Sequence, residues 1–327
     1  MPTILVQGAI AAARVDLMRK HAPDGWRVEL WDPAHDAIDT FAAKARAADV
    51  IVGGGIPTDW PDVPKLKLFQ IPWTGYDFTA PEKIPVGVPV ANTFEHETAI
   101  AEYALLGMLE WEIGLRHLDA SFRSEGWCGY GPGIAPTHGE VRGKTLGIVG
   151  YGHIGYETAM RANAFGMHSI GVRRSKQPCP PELDWLGQTD RLGELLAESD
   201  YVLIACDMNA ETIGLINAER LAQMKPTGVI LNVARGKIID EDALFDALQS
   251  KRIGGAILDT WYNYGADTWP CNKPFQDLDN VILSAHRSAV TEEMHDRRWA
   301  FVASQCARIG RGEAPQNVVF EGTLATG

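Results

Sequence analysis

Residues 144–155 have the sequence KTLGIVGYGHIG, in which an apolar run is followed by three glycines. The run LGIV predicts a short buried strand, and residues 156–165 predict a helix after it. Gly150, Gly152 and Gly155 lie between them with the spacing G-x-G-x-x-G. A strand, a glycine turn and a helix in this order form the arrangement that binds a dinucleotide. This part of the chain therefore predicts a nucleotide-binding α/β domain.

Each glycine has a separate task in such a turn. Gly150 makes the tight bend, Gly152 lets the backbone approach a pyrophosphate, and Gly155 lets the helix pack closely on the strand. With His153 and Ile154, the helix N-terminus offers free N–H groups and a positive dipole end to the phosphates. We expect all five residues to bind the cofactor. The alternative is an ordinary strand-to-helix turn. The nucleotide-binding interpretation is favoured because the glycines have both a strand before them and a helix after them.

Length and charge limit the classes of protein to which the chain can belong. Its 327 residues suffice for two domains with separate cores. A net charge of −12 argues against nucleic acid and against an anionic membrane as partners. The five cysteines are scattered and lack C-x-x-C spacing, which indicates reduced thiols in the cytoplasm and no metal site. They are Cys128, Cys179, Cys206, Cys271 and Cys306.

The first part of the chain alternates between strand and helix patterns, which predicts a parallel sheet. Strands are predicted at 3–7, 28–31, 49–52, 66–71 and 88–91, with helices at 11–20 and 41–48. Ligands of such sheets lie beyond the carboxyl ends of the strands. Two loops occupy that position, the glycine run 53–55, which includes Gly54, and the turn at Thr74 and Gly75.

The later part of the chain predicts a second sheet and two long helices. A helix over 97–123 links the two domains, and a Gly- and Pro-rich loop over 125–141 follows it. Further strands are predicted at 169–172, 200–205, 228–233, 255–258 and 281–284, with helices at 192–199, 218–224, 240–250 and 291–312. The last helix is expected to return to the first domain. We therefore expect a discontinuous substrate-binding domain, 1–95 plus about 292–327, and a dinucleotide-binding domain, about 96–291.

Several motifs in order resemble the D-isomer-specific 2-hydroxyacid dehydrogenase family, in particular its glyoxylate/hydroxypyruvate reductases. Besides the glycine turn they are ERLAQMKPTGVILNVARGKIIDEDAL at 219–244, GAILDTW at 255–261 and NVILSAH at 280–286. The resemblance implies an α/β fold of two Rossmann-like or flavodoxin-like doubly wound parallel-sheet domains around a cleft. It also implies a homodimer, commonly formed through the linking helix and the loop after it.

Two residues of these motifs match the catalytic positions of the family. Arg235 lies in N-x-A-R-G, and a bidentate guanidinium suits both the carboxylate and the carbonyl oxygen of a 2-oxo acid. His286 ends NVILSAH, and imidazole is well suited to give the ketone oxygen its proton near neutral pH. The alternatives are a surface arginine and a structural histidine. His96 lies at the domain junction and is a weaker candidate for the site.

At Tyr264 the sequence departs from the family pattern. Family members carry a glutamate five residues after the aspartate of the L-D motif, here Asp259, where it raises the pKa of the histidine. A tyrosine can donate or accept a hydrogen bond, but it supplies no negative charge at neutral pH. Three alternatives follow: weakened catalysis, another partner such as Asp267, or a protein that binds cofactor without turnover.

A second departure concerns the choice of nucleotide. An acid normally ends the second strand of an NAD-binding fold and holds the ribose 2′-OH. Here Arg173, Arg174 and Ser175 follow that strand. Guanidinium groups suit a 2′-phosphate, so NADP is predicted, with NAD as the second choice. The alternative is that both arginines face solvent.

The remaining site residues follow from the resemblance. Around the cofactor they are Cys206, Asp207, Val233, Ala234 and Asp259, the last of which typically holds the nicotinamide carboxamide. Around the substrate they are Gly54, Trp73, Thr74, Gly75, Arg235 and His286. The aromatic residues Trp73, Tyr76, Trp261 and Tyr262 predict an aromatic-lined pocket, or else belong to the core or a dimer contact.

The sequence thus predicts an enzyme that transfers hydride between a nicotinamide and C2 of a small 2-oxo or 2-hydroxy acid. Arg235 would orient the substrate, and His286 would act as the acid or base. The alternative is a catalytically weak or silent NADP(H)-binding regulatory protein. A third hypothesis is a dehydrogenase of another small anion on the same fold.

Overall fold

A computed structural model describes residues 1–55, 60–76, 78–127, 134, 136–265 and 267–325. The chain forms two compact units. Unit 1 comprises Met1–His96 and Val290–Gly327, and unit 2 comprises Glu97–Ala289.

Strands and helices alternate along most of the described chain. The strands are β1 (Thr3–Gln7), β2 (Arg27–Trp31), β3 (Val50–Gly53), β4 (Leu68–Gln70), β5 (Pro89–Ala91), β6 (Thr145–Val149), β7 (His168–Val172), β8 (Trp185–Gly187), β9 (Tyr201–Ile204), β10 (Val229–Asn232), β11 (Gly255–Leu258), β12 (Val281–Leu283) and β13 (Val318–Glu321). The α-helices are α1 (Ala9–Ala12), α2 (Val15–His21), α3 (Ile38–Ala47), α4 (Glu97–Ile113), α5 (Leu115–Glu125), α6 (His153–Ala164), α7 (Leu192–Glu198), α8 (Ala218–Gln223), α9 (Glu241–Gln249) and α10 (Glu292–Gly310).

Unit 1 is built on one sheet with the strand order β13-β5-β4-β3-β1-β2. Its strands are parallel except β13, which pairs antiparallel with β5. One face of the sheet packs against α2 and α10, where Met18, Trp299 and Val302 join the core. The other face packs against α3 through Phe41 and Ala45. This coverage of both faces explains why every residue of β1 and β3 is buried.

Unit 2 is built on a parallel sheet with the strand order β12-β11-β10-β9-β6-β7-β8. The order changes direction at β6, which lies between β7 and β9. Such a switch opens a crevice at the carboxyl ends of the strands, where α/β proteins bind ligands. The glycine turn follows β6 directly, so it lies at this switch.

The core of unit 2 lies on both faces of this sheet. On one face the buried residues include Leu195, Ile230 and Leu244. On the other they include Met108 of α4 and Ile148 of β6. No helix of the described part of the chain is long and apolar enough to cross a membrane.

The structure confirms the predicted fold class and corrects some elements. The single helix predicted over 97–123 is two helices, because Gly114 adopts φ 66° and ψ 36° and interrupts the hydrogen-bond ladder between α4 and α5. The predicted helix over 11–20 is likewise divided into α1 and α2. The sequence analysis also missed β8 and β13, each only three or four residues long.

Candidate active site

The turn after β6 has a backbone geometry that only glycine accommodates easily. Gly150 adopts φ 94°, and its N–H and that of Tyr151 both donate to the carbonyl oxygen of Val172. A Cβ atom at position 150 would lie 2.5 Å from the Cα atom of Cys206. Cys206 therefore packs against the back of the turn.

The other two glycines, Gly152 and Gly155, differ in what surrounds them at the start of α6. Gly152 is the N-cap of α6, and the nearest atom to a Cβ placed there is 4.0 Å away. His153 and Ile154 open α6, so their N–H groups lie in its first turn, where no intrahelical acceptor is available. A Cβ on Gly155 would instead lie 2.9 Å from Ile148, so this glycine permits helix–strand contact. The turn therefore fits the pyrophosphate of a dinucleotide.

The basic residues predicted to select NADP follow β7, the strand whose last carbonyl holds the glycine turn. The Arg173 N–H donates to the Gly187 carbonyl at 3.1 Å, and its guanidinium hydrogen-bonds the Gln177 side chain. The Arg173 Nε is buried and has no hydrogen-bond partner within the described residues. Arg174 and Ser175 are exposed beside it. This orphaned donor fits an anionic group at the end of β7.

The predicted cofactor residues after β9 and β10 differ in their surroundings. Burial raises the pKa of the Cys206 thiol to about 11, so it is not a reactive thiolate near neutral pH. Asp207 is exposed, and its carbonyl accepts a hydrogen bond from the Thr212 hydroxyl at 2.7 Å. Val233 is buried, and Ala234 is partly exposed after it.

Asn232 holds the loop that carries Arg235. Its Oδ1 accepts from the Ala234 N–H at 3.1 Å, and its Nδ2 donates to the Arg235 carbonyl at 3.0 Å. Gly236 completes the loop close to Trp261, since a Cβ at position 236 would lie 2.3 Å from the Trp261 carbonyl oxygen. The N-x-A-R-G motif is therefore a closely packed loop with a defined backbone.

Hydrogen bonds connect the carboxyl ends of three neighbouring strands. The Asp259 N–H after β11 donates to Asn232 of β10, and the Ser284 N–H after β12 donates to Leu258 of β11. These bonds bring together the loops that carry Arg235 and His286. The guanidinium of Arg235 lowers the pKa of the His286 imidazole.

Three causes act on the pKa of the His286 imidazole. The residue is only partly exposed, because atoms packed around the ring remove part of its water, and this desolvation lowers the pKa below its usual 6.5. The Asp259 carboxylate raises the pKa, and the Arg235 guanidinium lowers it. Desolvation is the largest cause, so the net direction is downward.

Tyr264 contacts His286 directly. The two ring centroids are 5.6 Å apart, with an angle of 60° between the planes, so the contact is edge-on. The Tyr264 hydroxyl accepts a hydrogen bond from the Trp261 N–H at 3.1 Å. A neutral aromatic ring therefore stands beside the histidine where the family resemblance implies a carboxylate.

Ser284 and Tyr103, which connect Asp259 with α4, were not predicted as site residues. This fully buried aspartate accepts a hydrogen bond from the Ser284 hydroxyl at 2.5 Å. The Ser284 hydroxyl is also 2.7 Å from the hydroxyl of Tyr103 on α4. The position of Ser284 in NVILSAH, two residues before the histidine, was the available signal for Ser284. Nothing in the sequence indicates that Tyr103 contacts Ser284.

The substrate residues predicted in unit 1 lie around one turn. Asn92 donates to the Thr74 carbonyl at 2.8 Å, and the Thr74 hydroxyl donates to the Thr93 carbonyl at 2.9 Å. His96, the weaker candidate, lies 3.2 Å from the Thr74 hydroxyl through Nδ1. These contacts fix the backbone that leads into Gly75.

Gly54 and Trp73 are in contact within unit 1. A Cβ at position 54 would lie 2.0 Å from the Trp73 indole, so glycine is required for this packing. In unit 2, Trp261 is buried and donates through Nε1 to the Ser284 carbonyl, while Tyr262 stacks on Phe275. For Trp261 the structure supports the second alternative of the prediction, because this residue belongs to the core.

Comparison with known proteins decides the family. The model of the D-isomer specific 2-hydroxyacid dehydrogenase NAD binding domain matches residues 105–288. The glyoxylate reductase of Thermococcus onnurineus (strain NA1) is 32% identical over 97% of this chain and 96% of its own length. The chain belongs to the D-isomer specific 2-hydroxyacid dehydrogenase family.

Other members of this family extend the comparison. The D-3-phosphoglycerate dehydrogenase of Methanocaldococcus jannaschii is 37% identical over 180 residues, which are 55% of this chain and 34% of that protein. A solved glyoxylate reductase structure from Paecilomyes thermophila has a TM-score of 0.75 and 27% identity, and covers 97% of this chain and 98% of that one.

Membership of the family establishes the type of reaction. The protein is a 2-hydroxyacid dehydrogenase, an oxidoreductase that acts on the CH–OH group of its donor with a nicotinamide cofactor. The regulatory alternative is not favoured. In this member of the family, the ring of Tyr264 lies beside His286.

Proposed function

We propose that this dehydrogenase is an NADPH-dependent reductase of small 2-oxo acids, with Arg235 and His286 as its catalytic residues. The observation that carries the proposal is the placement of Arg235, Asp259 and His286 on adjoining loops at the carboxyl edge of one sheet. That edge is where ligands of α/β proteins bind. The glyoxylate reductases among the relatives act on a substrate of this class.

The chemistry requires a hydride at C2 and a proton at the adjacent oxygen. The reduced nicotinamide supplies the hydride when the cofactor is bound. Arg235 presents a planar fork of N–H donors, which suits the substrate carboxylate and polarises the carbonyl oxygen. His286 in its protonated form donates the proton to that oxygen, which gives the 2-hydroxy acid and a neutral imidazole.

We assign the cofactor to the glycine turn and to the basic end of β7. Gly150, Gly152 and Gly155 shape the turn, and the first N–H groups of α6 face the phosphates. The unpaired Nε of Arg173 supports NADP over NAD, because a 2′-phosphate offers it a charged acceptor. We also keep Asp259 as the proposed partner of the nicotinamide carboxamide.

For the substrate carboxylate we propose the turn at Thr74 and Gly75, with Gly54 and Trp73 beside it. The hydrogen bonds from Asn92 and to Thr93 support this role, because they hold the turn backbone in one conformation. Pre-organised N–H groups bind an anion without a further ordering cost.

A homodimer in the cytoplasm completes the proposal. The helix α5 exposes an apolar stripe of Leu115, Leu118 and Phe122, whose exposed fractions are 64%, 48% and 59%. Exposed apolar residues at helical spacing support association with a second copy of the chain. Cysteines that are free in the described residues agree with a reducing compartment.

NADPH oxidation against a panel of 2-oxo acids tests the proposal. We expect turnover with small members such as glyoxylate, a higher kcat/KM with NADPH than with NADH, and loss of turnover in His286→Gln and Arg235→Gln. Arg142→Gln is the control, because it removes an exposed arginine and should leave turnover unchanged. Tight NADPH binding with no turnover of any 2-oxo acid would contradict the proposal.

A further inference from the structure

The carboxylate of Asp259 is fully buried, and within the described residues its hydrogen bonds come from the loop that carries His286. Its Oδ1 accepts from the Ser284 hydroxyl at 2.5 Å and from the Arg287 N–H at 2.7 Å. Its Oδ2 accepts from the Ser288 N–H at 2.9 Å. These three donors lie on one short segment and satisfy both oxygens of the buried carboxylate.

The bonds from Asp259 lie on both sides of His286 in the chain. His286 adopts φ 53°, in the left-handed region that residues other than glycine seldom occupy. Such a conformation persists only where the surrounding structure enforces it. Asp259 provides that constraint, because it fixes Ser284 before the histidine and the N–H groups of Arg287 and Ser288 after it.

Ser284 is itself fixed from two further directions. Its hydroxyl is hydrogen-bonded with Tyr103 on α4, a helix remote in sequence. Its carbonyl accepts from the indole N–H of the buried Trp261 at 2.8 Å. The contact from Asp259 to the His286 loop is therefore part of a network anchored in the core of unit 2.

The charged groups around the imidazole come from each of the adjoining loops. Asp259 follows β11 and Arg235 follows β10, and these two side chains are the charges that act on His286 within the described residues. Arg287 lies on the loop of His286, with its side chain exposed. Tyr264 and Tyr103 contribute neutral hydroxyl groups near neutral pH, and burial raises the pKa of Tyr103 further.

We propose that Asp259, bonded to Ser284, Arg287 and Ser288, is a positioning residue for proton transfer by His286. It keeps the histidine in its left-handed conformation, and it supplies a negative charge near the imidazole that Tyr264 cannot supply. The inference rests on the proposed function of His286 as the acid. It assigns Asp259 a role besides any contact with the nicotinamide.

Asp259→Asn tests this role, with Asp267→Asn as a matched control. Both changes remove one carboxylate, but Asp267 is exposed and makes no bond to the His286 loop among the described residues. The imidazole signal of His286, assigned by its absence in His286→Gln, is titrated by NMR in each apo protein. We expect a lower His286 pKa in Asp259→Asn and no change in Asp267→Asn.

The kinetic expectation follows from the same change. At pH 7, Asp259→Asn should lower kcat for 2-oxo acid reduction by about tenfold to a hundredfold, because a displaced acid transfers its proton poorly. The KM for the 2-oxo acid should change far less, since Arg235 is untouched. The fall of the rate with rising pH should begin at a lower pH than in the wild type.

Ser284→Ala is a second variant that tests the same inference if Asp259→Asn does not fold. This change retains the charge and removes one bond, so amide hydrogen exchange at Arg287 and Ser288 should accelerate and kcat should fall. An unchanged His286 pKa in a folded Asp259→Asn, or unchanged exchange and kcat in Ser284→Ala, would overturn the inference. Normal turnover of His286→Gln would instead refute the proposed function, since the NMR and exchange results do not depend on activity.

Discussion

The edge of the Tyr264 ring packs against the His286 imidazole, with the ring centroids 5.6 Å apart. The Tyr264 hydroxyl accepts a hydrogen bond from the Trp261 N–H, so the ring has a defined orientation. The histidine therefore has an uncharged neighbour where related dehydrogenases are expected to have a glutamate. The consequence is that its charge balance depends on Asp259 and Arg235.

Tyr264→Glu should raise the pKa of His286 and increase the rate of 2-oxo acid reduction above neutral pH. A carboxylate beside the imidazole favours its protonated form, which is the acid required for reduction. We expect an increase of several-fold, since an added opposite charge near a partly exposed group is worth about 1 kcal/mol. The pH profile of kcat measures it.

Tyr264→Phe is the control, because it keeps the ring contact and adds no charge. The pH profile of kcat in Tyr264→Phe should follow that of the wild type, because the pKa of His286 gains no new charge beside it. The Trp261 N–H loses its acceptor in this variant. A rate in Tyr264→Glu that is equal to or below that of the wild type would show that the site is adapted to a neutral neighbour.

The lowered pKa of His286 predicts opposite pH dependences for the two directions of the reaction. Reduction needs the protonated imidazole, so its rate should fall as pH rises through a value below 6.5. Oxidation of the 2-hydroxy acid needs the neutral imidazole, so its rate should fall as pH drops through the same value. Steady-state kinetics over pH 4.5–9 test both directions. A reductive kcat that stays constant up to pH 8 would contradict this assignment.

Gly150→Ala should reduce the stability of the protein, whereas Gly152→Ala should leave stability nearly unchanged and reduce cofactor binding. At position 150 a methyl group would meet Cys206 at 2.5 Å with φ 94°, so we expect about 2 kcal/mol or more of lost stability. At position 152 the φ is −135° and the nearest atom is 4.0 Å away, so stability should change by less than about 1 kcal/mol. Denaturant unfolding measures both.

Although Gly152→Ala should change stability little, it should weaken NADPH binding. Its methyl group occupies the space through which a pyrophosphate approaches the turn, so NADPH affinity should fall about tenfold or more. Fluorescence titration of NADPH measures this loss. Wild-type affinity in Gly152→Ala would place the pyrophosphate elsewhere.

The sequence predicted the parts of the site that depend on local pattern. The strand β6 and its glycines form a continuous signal, and the motif around Arg235 is a single loop. The break at Gly114 was missed because one glycine does not interrupt a helical pattern of apolar residues. Whether a helix continues there depends on tertiary packing.

The part that the sequence did not reveal depends on contacts between distant residues. Asp259 is bonded to Ser284, Arg287 and Ser288, which are 25 to 29 residues away in the chain. Asp267 is the next acid after position 264 and was therefore considered as a partner for His286. Only the register of β11 and β12 brings Asp259 to the histidine loop.

Phe122→Asp should convert the proposed dimer into a monomer. The change places a charge in the apolar stripe of α5, where it would be desolvated at an interface with a second copy. Ala120→Asp adds the same charge two residues away, on another face of the helix, and should leave association unchanged. Sedimentation velocity at several concentrations measures the oligomeric state. A wild-type protein that is monomeric at all concentrations would refute the dimer.

Arg173→Ala should reduce the preference for NADPH over NADH. The Arg173 Nε is buried and has no partner in the described part of the chain, and a charge-assisted hydrogen bond to a 2′-phosphate is worth about 1.5–3 kcal/mol. We therefore expect kcat/KM with NADPH to fall by roughly ten- to a hundredfold. The value with NADH should change little, because a ribose hydroxyl gains much less from a guanidinium.

Arg142→Ala is the matched control for this prediction. Arg142 is an exposed arginine that precedes β6, at the amino end of the sheet, so its loss removes the same charge far from the nucleotide. The ratio of kcat/KM for the two cofactors should therefore stay at its wild-type value. An equal fall with both cofactors in Arg173→Ala would mean that the arginine supports the end of β7 and does not read the 2′-position.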